Sequence, residues 1–211
     1  MKQRGGYLPA SIERTGRLAV LVVDMLNDFA HPDGAYARHG AVCESFPAIV
    51  PNVRRLMLAA EGAGVPTVSA HQVVYADRSG RAVTGGGMEV TRPWLEEEGF
   101  RPGTWGSEMI EELPAASFRV DKPRASAFLY TPLDVILKGL GTDTVVIAGC
   151  YTNQCVVSTA RDAWARDLQV LIVVDGVAAF DRRLHEATLE SLRPLTVQVT
   201  TEEACRLLSA E

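Results

Sequence analysis

Three residues far apart in this chain have side chains that could together do covalent chemistry: Asp24, Lys122 and Cys155. Cys155 follows the apolar run Val145-Val146-Ile147-Ala148, then Gly149 and the short polar stretch Cys150-Tyr151-Thr152-Asn153-Gln154, and it precedes an amphipathic segment over 156–164. The pattern predicts a strand, a tight turn and a helix, with Cys155 near the helix N-terminus. Unpaired backbone N–H groups and the positive end of the helix dipole favour a thiolate there, and a thiolate is a nucleophile for acyl transfer. A carboxylate such as Asp24 can take a thiol proton, and a cation such as Lys122 can steady the resulting charge. Taken singly, each residue has a plainer reading. Cys155 could be a buried small hydrophobe, Asp24 a cap or turn residue, and Lys122 a solvated side chain before Pro123.

Periodicity shows which elements would have to bring the three together. Residues 18–23 are apolar on both faces, as a central parallel strand must be when helices cover both sides, and Asp24 ends the run. Ile49, Val50, Val53, Leu56, Met57 and Ala60 recur at helical spacing, with Pro51 early and Gly62 and Gly64 past the end. Residues 65–70 read as a second strand with His71 and Gln72 at its end. Residues 118–120 read as a third that ends at Asp121-Lys122-Pro123, and 144–148, 169–174 and 196–199 as three more. Helices are expected over 131–140, 156–164 and 181–192, with a short one over 108–113 and a terminal one capped by Thr200 and Glu203. Residues 73–106 lose periodicity and carry Gly85-Gly86-Gly87, Pro93, Trp94, Pro102 and Trp105, which reads as a binding loop or lid. The triple Gly is no phosphate cradle, because the Lys-Ser/Thr of a P-loop is missing.

Six strands alternating with helices predict an α/β fold: a three-layer α/β/α domain around a six-stranded, mostly parallel sheet. One domain is expected over residues 1–211, with 1–16 a tail on the surface or on a neighbouring subunit. In open parallel sheets the ligand crevice lies outside the carboxyl ends of the strands, so Asp24, Lys122 and the turn before Cys155 can converge there.

Composition narrows the partner. With 47% apolar and 22% charged residues, 211 residues can bury a full core, and a net charge of -5 with no run of Lys or Arg leaves no footprint for nucleic acid or an anionic membrane. The aliphatic run 18–23 is far short of a membrane span, and no apolar leader follows the N-terminus. Cys43, Cys150, Cys155 and Cys205 show no paired spacing, so reduced thiols are expected. The expectation is a cytoplasmic homo-oligomer, a dimer or tetramer, whose partner is a small-molecule substrate.

Three blocks in this order resemble the signatures of the isochorismatase-like cysteine hydrolases: Val22-Val23-Asp24-Met25-Leu26-Asn27-Asp28-Phe29, Lys122-Pro123-Arg124-Ala125-Ser126-Ala127-Phe128 and Gly149-Cys150-Tyr151-Thr152-Asn153-Gln154-Cys155-Val156. The resemblance runs from residue 17 to about 205 and implies a Rossmann-like fold. It makes Asp24 the general base, Lys122 the third triad member and Cys155 the nucleophile of a thioester route. It also implies a cis Cys150–Tyr151 peptide bond and an oxyanion site formed by the Tyr151 and Cys155 backbone N–H groups.

The longer phrase from Lys122 through Thr131-Pro132-Leu133-Asp134, with Ser158-Thr159-x-Arg161-Asp162, resembles the branch acting on ureidoacrylate, biuret and N-carbamoylsarcosine or other N-carbamoyl amino acids. After Asp175 the chain reads Gly176-Val177-Ala178-Ala179, without the carboxamide that biuret-type members place there. The nicotinamidase branch carries an Asp-x-His metal site. Here Gln72-Val73 follow His71 and no Asp-x-His occurs, so no metal and no cofactor are expected. His31, His39 and His185 read as surface residues.

The activity this implies is cleavage of the C–N bond of a small ureido or N-carbamoyl compound. The same triad could serve a maleamate- or nicotinamide-like amide, and a catalytically silent binding protein is a third reading. A planar, polar substrate needs carboxamide and hydroxyl groups and a flat apolar face. Asn27, Gln72, Ser126 and Asn153 are candidates for the first, Phe29, Trp105 and Phe128 for the second, and Arg124 for a substrate carboxylate. Asn153 reads equally well as a turn residue and Phe128 as core.

Overall fold

In the computed structural model, which describes residues 16–209, alternate residues of the first strand feed two different cores. That strand, β1 (Arg17–Val23), sends Leu18, Val20 and Val22 to one face and Ala19, Leu21 and Val23 to the other. It is the centre of an all-parallel sheet in the order β3-β2-β1-β4-β5-β6, with β2 (Thr67–Gln72), β3 (Phe118–Lys122), β4 (Thr142–Cys150), β5 (Gln169–Ala178) and β6 (Val197–Val199).

Two single-turn helices, α1 (Asn27–Ala30) and α2 (Ala35–Arg38), follow β1, and α3 (Phe46–Gly62) then packs with the C-terminal α8 (Thr201–Ser209) on the first face. A short α4 (Gly87–Thr91) lies in the long segment after β2. On the second face lie α5 (Leu133–Leu140), α6 (Val157–Trp164) and α7 (Arg182–Leu192), which contribute Leu133, Leu137, Ala160, Ala163 and Leu192 to the core. Each Val or Leu fully buried this way stabilises the fold by about 1.5–3 kcal/mol. Among the described residues no helix is long and apolar enough to cross a membrane.

Local signals account for most boundaries. The Thr131 hydroxyl accepts the Leu133 N–H at 3.2 Å, and Gly141, at φ 65°, ends α5. Asp181 caps α7 by accepting from the Arg183 and Leu184 N–H groups. Glu203 accepts the Thr200 N–H at 2.7 Å while Thr200 Oγ1 accepts the Glu203 N–H at 3.3 Å, a reciprocal capping box.

Several elements differ from expectation. Strands β2 and β3 run on to Gln72 and Lys122 because these two residues pair in the ladder. Helix α3 begins at Phe46 and takes Pro51 into its interior. One backbone hydrogen bond is lost there, and the buried face of Ile49, Val53, Leu56, Met57 and Ala60 outweighs it. The helix expected over 108–113 does not form. The Asn27 N–H donates to the Glu108 carbonyl and the Ile110 N–H to the Met25 carbonyl, both at 3.0 Å, so tertiary pairing takes the groups a helix would use. The segment over 73–106 holds α4 and a 3₁₀ turn (Pro93–Glu96), and is tied down by buried Asp28, which accepts from the Phe100 N–H at 2.6 Å and the Ala35 N–H at 2.9 Å. All of the expected tail except Gly16 lies outside the described residues.

In β4 Gly149 has φ 115° and sits opposite Val23 of β1. A Cβ there would lie 2.0 Å from the Val23 carbonyl oxygen, whereas one on Gly139, within α5, would meet open space. Gly149→Ala should therefore destabilise the fold by more than about 3 kcal/mol. Gly139→Ala should stabilise it by about 0.5–1 kcal/mol. Urea denaturation of both variants checks the contrast.

Candidate active site

The strand order reverses direction between β1 and β4, and in open parallel sheets that reversal leaves a crevice at the carboxyl ends of the strands. Asp24 directly follows β1, Cys155 lies just past β4, and Lys122 ends β3. Strands lie about 4.8 Å apart, so Lys122 is roughly 10 Å of sheet away from Asp24. Its long stem crosses the end of β2, with the side chain fully buried, and brings Nζ to 2.8 Å from Asp24 Oδ2 and 3.3 Å from Cys155 Sγ. Nζ also donates to Gln72 Oε1 at 3.0 Å and the Arg124 carbonyl at 3.3 Å. Asp24 adopts φ 55°, a left-handed conformation that Asp tolerates, and its Oδ1 accepts the Gln72 N–H at 2.7 Å.

The charges follow from burial and these contacts. Burial alone would drive Lys122 neutral, but Asp24 and Cys155 outweigh it and hold the lysine pKa above its ordinary value. Burial and the Asp24 carboxylate push the Cys155 thiol up to about 12 against the opposing pull of Lys122. Both effects favour the thiol, against the thiolate expected from a helix N-terminus alone: Cys155 sits in a wide π-helical turn (Thr152–Val156) ahead of α6, buried and next to a carboxylate.

The turn itself is braced. The Gln154 and Val156 N–H groups both donate to the Tyr151 carbonyl, at 2.9 and 3.2 Å, and the Cys150–Tyr151 peptide bond is cis. The Thr152 hydroxyl donates to the Ala178 carbonyl at 3.0 Å, so at its 2.9 Å contact with His185 Nδ1 the hydroxyl is the acceptor and the ring nitrogen carries the proton. His185 is thus a half-buried brace of the turn that carries Cys155 and not the surface residue expected; His31 and His39 are exposed. The second cysteine of the turn, Cys150, donates to the Asp24 carbonyl at 3.0 Å, and burial pushes its thiol well above the ordinary range.

The expected wall residues divide. Gln72 stands in the site, between Asp24 and Lys122. Asn153, two positions before Cys155, has a buried Oδ1 with no partner among the described residues. Arg124 contributes its carbonyl to Lys122, but its guanidinium donates to the Thr84 and Pro123 carbonyls and lies 5.8 Å over the Tyr130 ring. The Ser126 hydroxyl accepts the Phe128 N–H, and Phe128 is core beneath the Arg166 guanidinium. Phe29 packs in an aromatic cluster with Tyr36, Phe100 and Tyr151. Asn27 donates to the Trp105 carbonyl at 2.8 Å, and half-exposed Trp105 lines a separate groove of about 460 Å³ with His31 and Glu108. Asp28, Tyr36, Arg92 and His185 were not read from sequence as site residues. Asp28 lies in the first block and Tyr36 shortly after it, but no periodic pattern links any of the four to Asp24, Lys122 and Cys155.

Comparison with known proteins gives the family and the fold. The isochorismatase domain model matches residues 18–204. Ureidoacrylate amidohydrolase RutB of Methylobacterium radiotolerans is 28% identical over 185 residues, covering 82% of this chain and 72% of that protein. A probable inactive nicotinamidase of Arabidopsis thaliana is 32% identical over 196 residues, covering 90% and 94%. The crystal structure of a cysteine hydrolase from Pseudomonas syringae pv. phaseolicola superposes with a TM-score of 0.81 at 29% identity, covering 91% and 92%.

Two outcomes are expected. Asp24→Asn removes a group that raises the Cys155 pKa, so iodoacetamide should label Cys155 faster than in the wild type at about pH 8, and Lys122→Met should slow the labelling; mass mapping of the Cys155 peptide reads both. His185→Phe should lower kcat by about 10- to 100-fold through a displaced turn, while His185→Asn, whose amide N–H can stand where Nδ1–H does, should recover most of it in steady-state assays.

Proposed function

The chain belongs to the isochorismatase domain family, and from that premise we propose that it is a cysteine-dependent amidohydrolase of a small ureido or N-carbamoyl compound. The observation that carries this reading is the single buried ammonium of Lys122, 2.8 Å from Asp24 and 3.3 Å from Cys155. It holds a base and a nucleophile against each other in a site shielded from water.

In the first half of the reaction Asp24 takes the Cys155 proton as Sγ attacks the substrate carbonyl carbon. A C–S bond forms, and the carbonyl oxygen takes up the negative charge, accepting hydrogen bonds from the Tyr151 and Cys155 backbone N–H groups. As the tetrahedral species collapses, Asp24 returns the proton to the leaving nitrogen, the C–N bond breaks, and a thioester remains on Cys155. Water then attacks the thioester carbonyl, with Asp24 taking its proton, and the thiol leaves with that proton. Lys122 steadies the negative charge that sulfur and carboxylate exchange, and Gln72 fixes both partners by accepting from Nζ and donating to Oδ1.

Two features are compatible with this reading, and the second weighs against the nicotinamide alternative. The unpartnered Asn153 Oδ1 is a buried acceptor two residues from the nucleophile, suited to an N–H-rich group such as a carbamoyl NH₂. His71, the only His near the site's β2 end, has both ring nitrogens engaged, with the Ser107 carbonyl at 2.9 Å and Ser69 Oγ at 3.0 Å, so it is not poised as a metal ligand for the nicotinamide reading.

Ammonia release should show kcat/KM for N-carbamoyl compounds at least about tenfold above that for nicotinamide, with Cys155→Ala lowering turnover by about 1,000-fold or more. A ratio favouring nicotinamide would overturn the substrate class, and an active Cys155→Ala enzyme would overturn the mechanism.

A further inference from the structure

Beside the triad lies a second set of donors that the reaction does not use. The Tyr36 side chain is 1% exposed and boxed by aromatic rings: Phe29 edge-on at 4.7 Å, Trp94 edge-on at 5.4 Å and Phe180 stacked at 6.0 Å. Its hydroxyl has no hydrogen-bond partner among the described residues. Leaving a buried hydroxyl unpaired incurs the full desolvation of the group, so its position calls for an acceptor that the described chain does not provide. Its ring lies 5.4 Å from that of Trp94 and 6.2 Å from that of Tyr151, between the 73–106 segment and the turn that carries Cys155, and burial keeps it a neutral O–H donor.

Arg92 is the second donor. Its guanidinium carbon lies 5.4 Å over the Tyr36 ring. The backbone beneath it is fixed on both sides, since the Arg92 N–H donates to the Met88 carbonyl at 2.9 Å and the Arg92 carbonyl accepts the Leu95 N–H at 3.0 Å, with Leu95 fully buried. The guanidinium is half-buried and donates to Thr91 Oγ1 at 3.0 Å, and no carboxylate among the described residues pairs with it. A half-buried cation without a counter-charge, over the ring of a tyrosine whose hydroxyl is unpaired, is a pair of groups that offers only donors. A planar carboxylate complements it: one oxygen can take the phenol O–H while the other, or both, take guanidinium N–H groups. Arg124, the residue first expected to meet such a group, is already committed to the Thr84 and Pro123 carbonyls.

We propose that Arg92 and Tyr36 form a carboxylate subsite, so that the substrate is a short acid carrying its scissile carbamoyl or amide group a few atoms from that carboxylate. For the scissile group this rests on the ureide reading above; for the carboxylate it does not.

Matched pairs separate the two. Ammonia release is measured with N-carbamoylglycine against N-carbamoylglycinamide, and with maleamate against maleamide, in the wild-type and Arg92→Gln enzymes. Thermal denaturation and circular dichroism check that the variant is folded. The acid should exceed its neutral partner in kcat/KM by about 30-fold or more, mostly through KM, and Arg92→Gln should cut that ratio at least about tenfold. Tyr36→Phe should cut it in the same direction.

A preference for the acid only in the maleamate pair, with no ureide turned over, would keep the subsite and overturn the ureide. Ureide hydrolysis with no preference for the acid, or a variant that slows both members of a pair equally, would overturn the subsite and keep the ureide. If neither pair is turned over, calorimetric binding of N-carbamoylglycine and maleamate to the Cys155→Ala enzyme decides, and affinity unaffected by Arg92→Gln overturns the subsite.

Discussion

A lysine ammonium with no solvent contact must find its charge and hydrogen-bond partners inside the protein, and the arrangement around Lys122 is built on that requirement. Removing an ion from water costs several kcal/mol even after relaxation, and excellent geometry with every donor used is what offsets it. Lys122 meets that with a carboxylate oxygen at 2.8 Å, a carboxamide oxygen at 3.0 Å, and a sulfur and a backbone carbonyl at 3.3 Å. Each partner belongs to a different part of the chain: Asp24 from the end of β1, Gln72 from β2, Cys155 from the turn after β4. The ladder pair Gln72–Lys122 extends β2 and β3 to the point where the carboxamide and the ammonium can meet. At the switch point Gly149 lets β4 approach β1 without a side chain between them.

The same cluster governs the protonation of Cys155. Lys122 and Asp24 act on the Cys155 thiol with opposite sign, and burial sides with Asp24, so the balance favours the protonated sulfur. Around it the fold adds constraints of lower energy but the same purpose. Thr152 links the turn to the end of β5 and to α7 through His185, and Asp28 ties the segment after β2 at Phe100 to the start of α2.

Those features were legible in the sequence to different degrees, for physical reasons. The central strands could be read because residues such as Leu18 to Val23 are apolar on both faces, which only a sheet covered on both sides requires. Asp24, Lys122 and Cys155 could be placed together because all three lie at or just beyond strand C-termini. What could not be read depends on partners far along the chain. Residues 108–113 carry helical spacing, but Met25 and Asn27 claim their backbone groups. Phe29 and Phe128 fit a binding wall by type, yet packing places both in the core. The charge state of Cys155 turns on a few ångströms of separation from Asp24 and on burial, neither of which spacing encodes. Tyr36 and Arg92 meet only because the segment after β2 folds back over α2.

The most direct test of nucleophilic catalysis by Cys155 is rapid acid quenching of the enzyme during turnover of an N-carbamoyl compound, followed by mass analysis of the intact protein and of the Cys155 peptide. A mass increase equal to the acyl fragment left after loss of the amine, confined to Cys155 and absent from Cys155→Ala, is the predicted result. Turnover at full rate with Cys155 unmodified at every quench time, together with retained activity in Cys155→Ala, would contradict it.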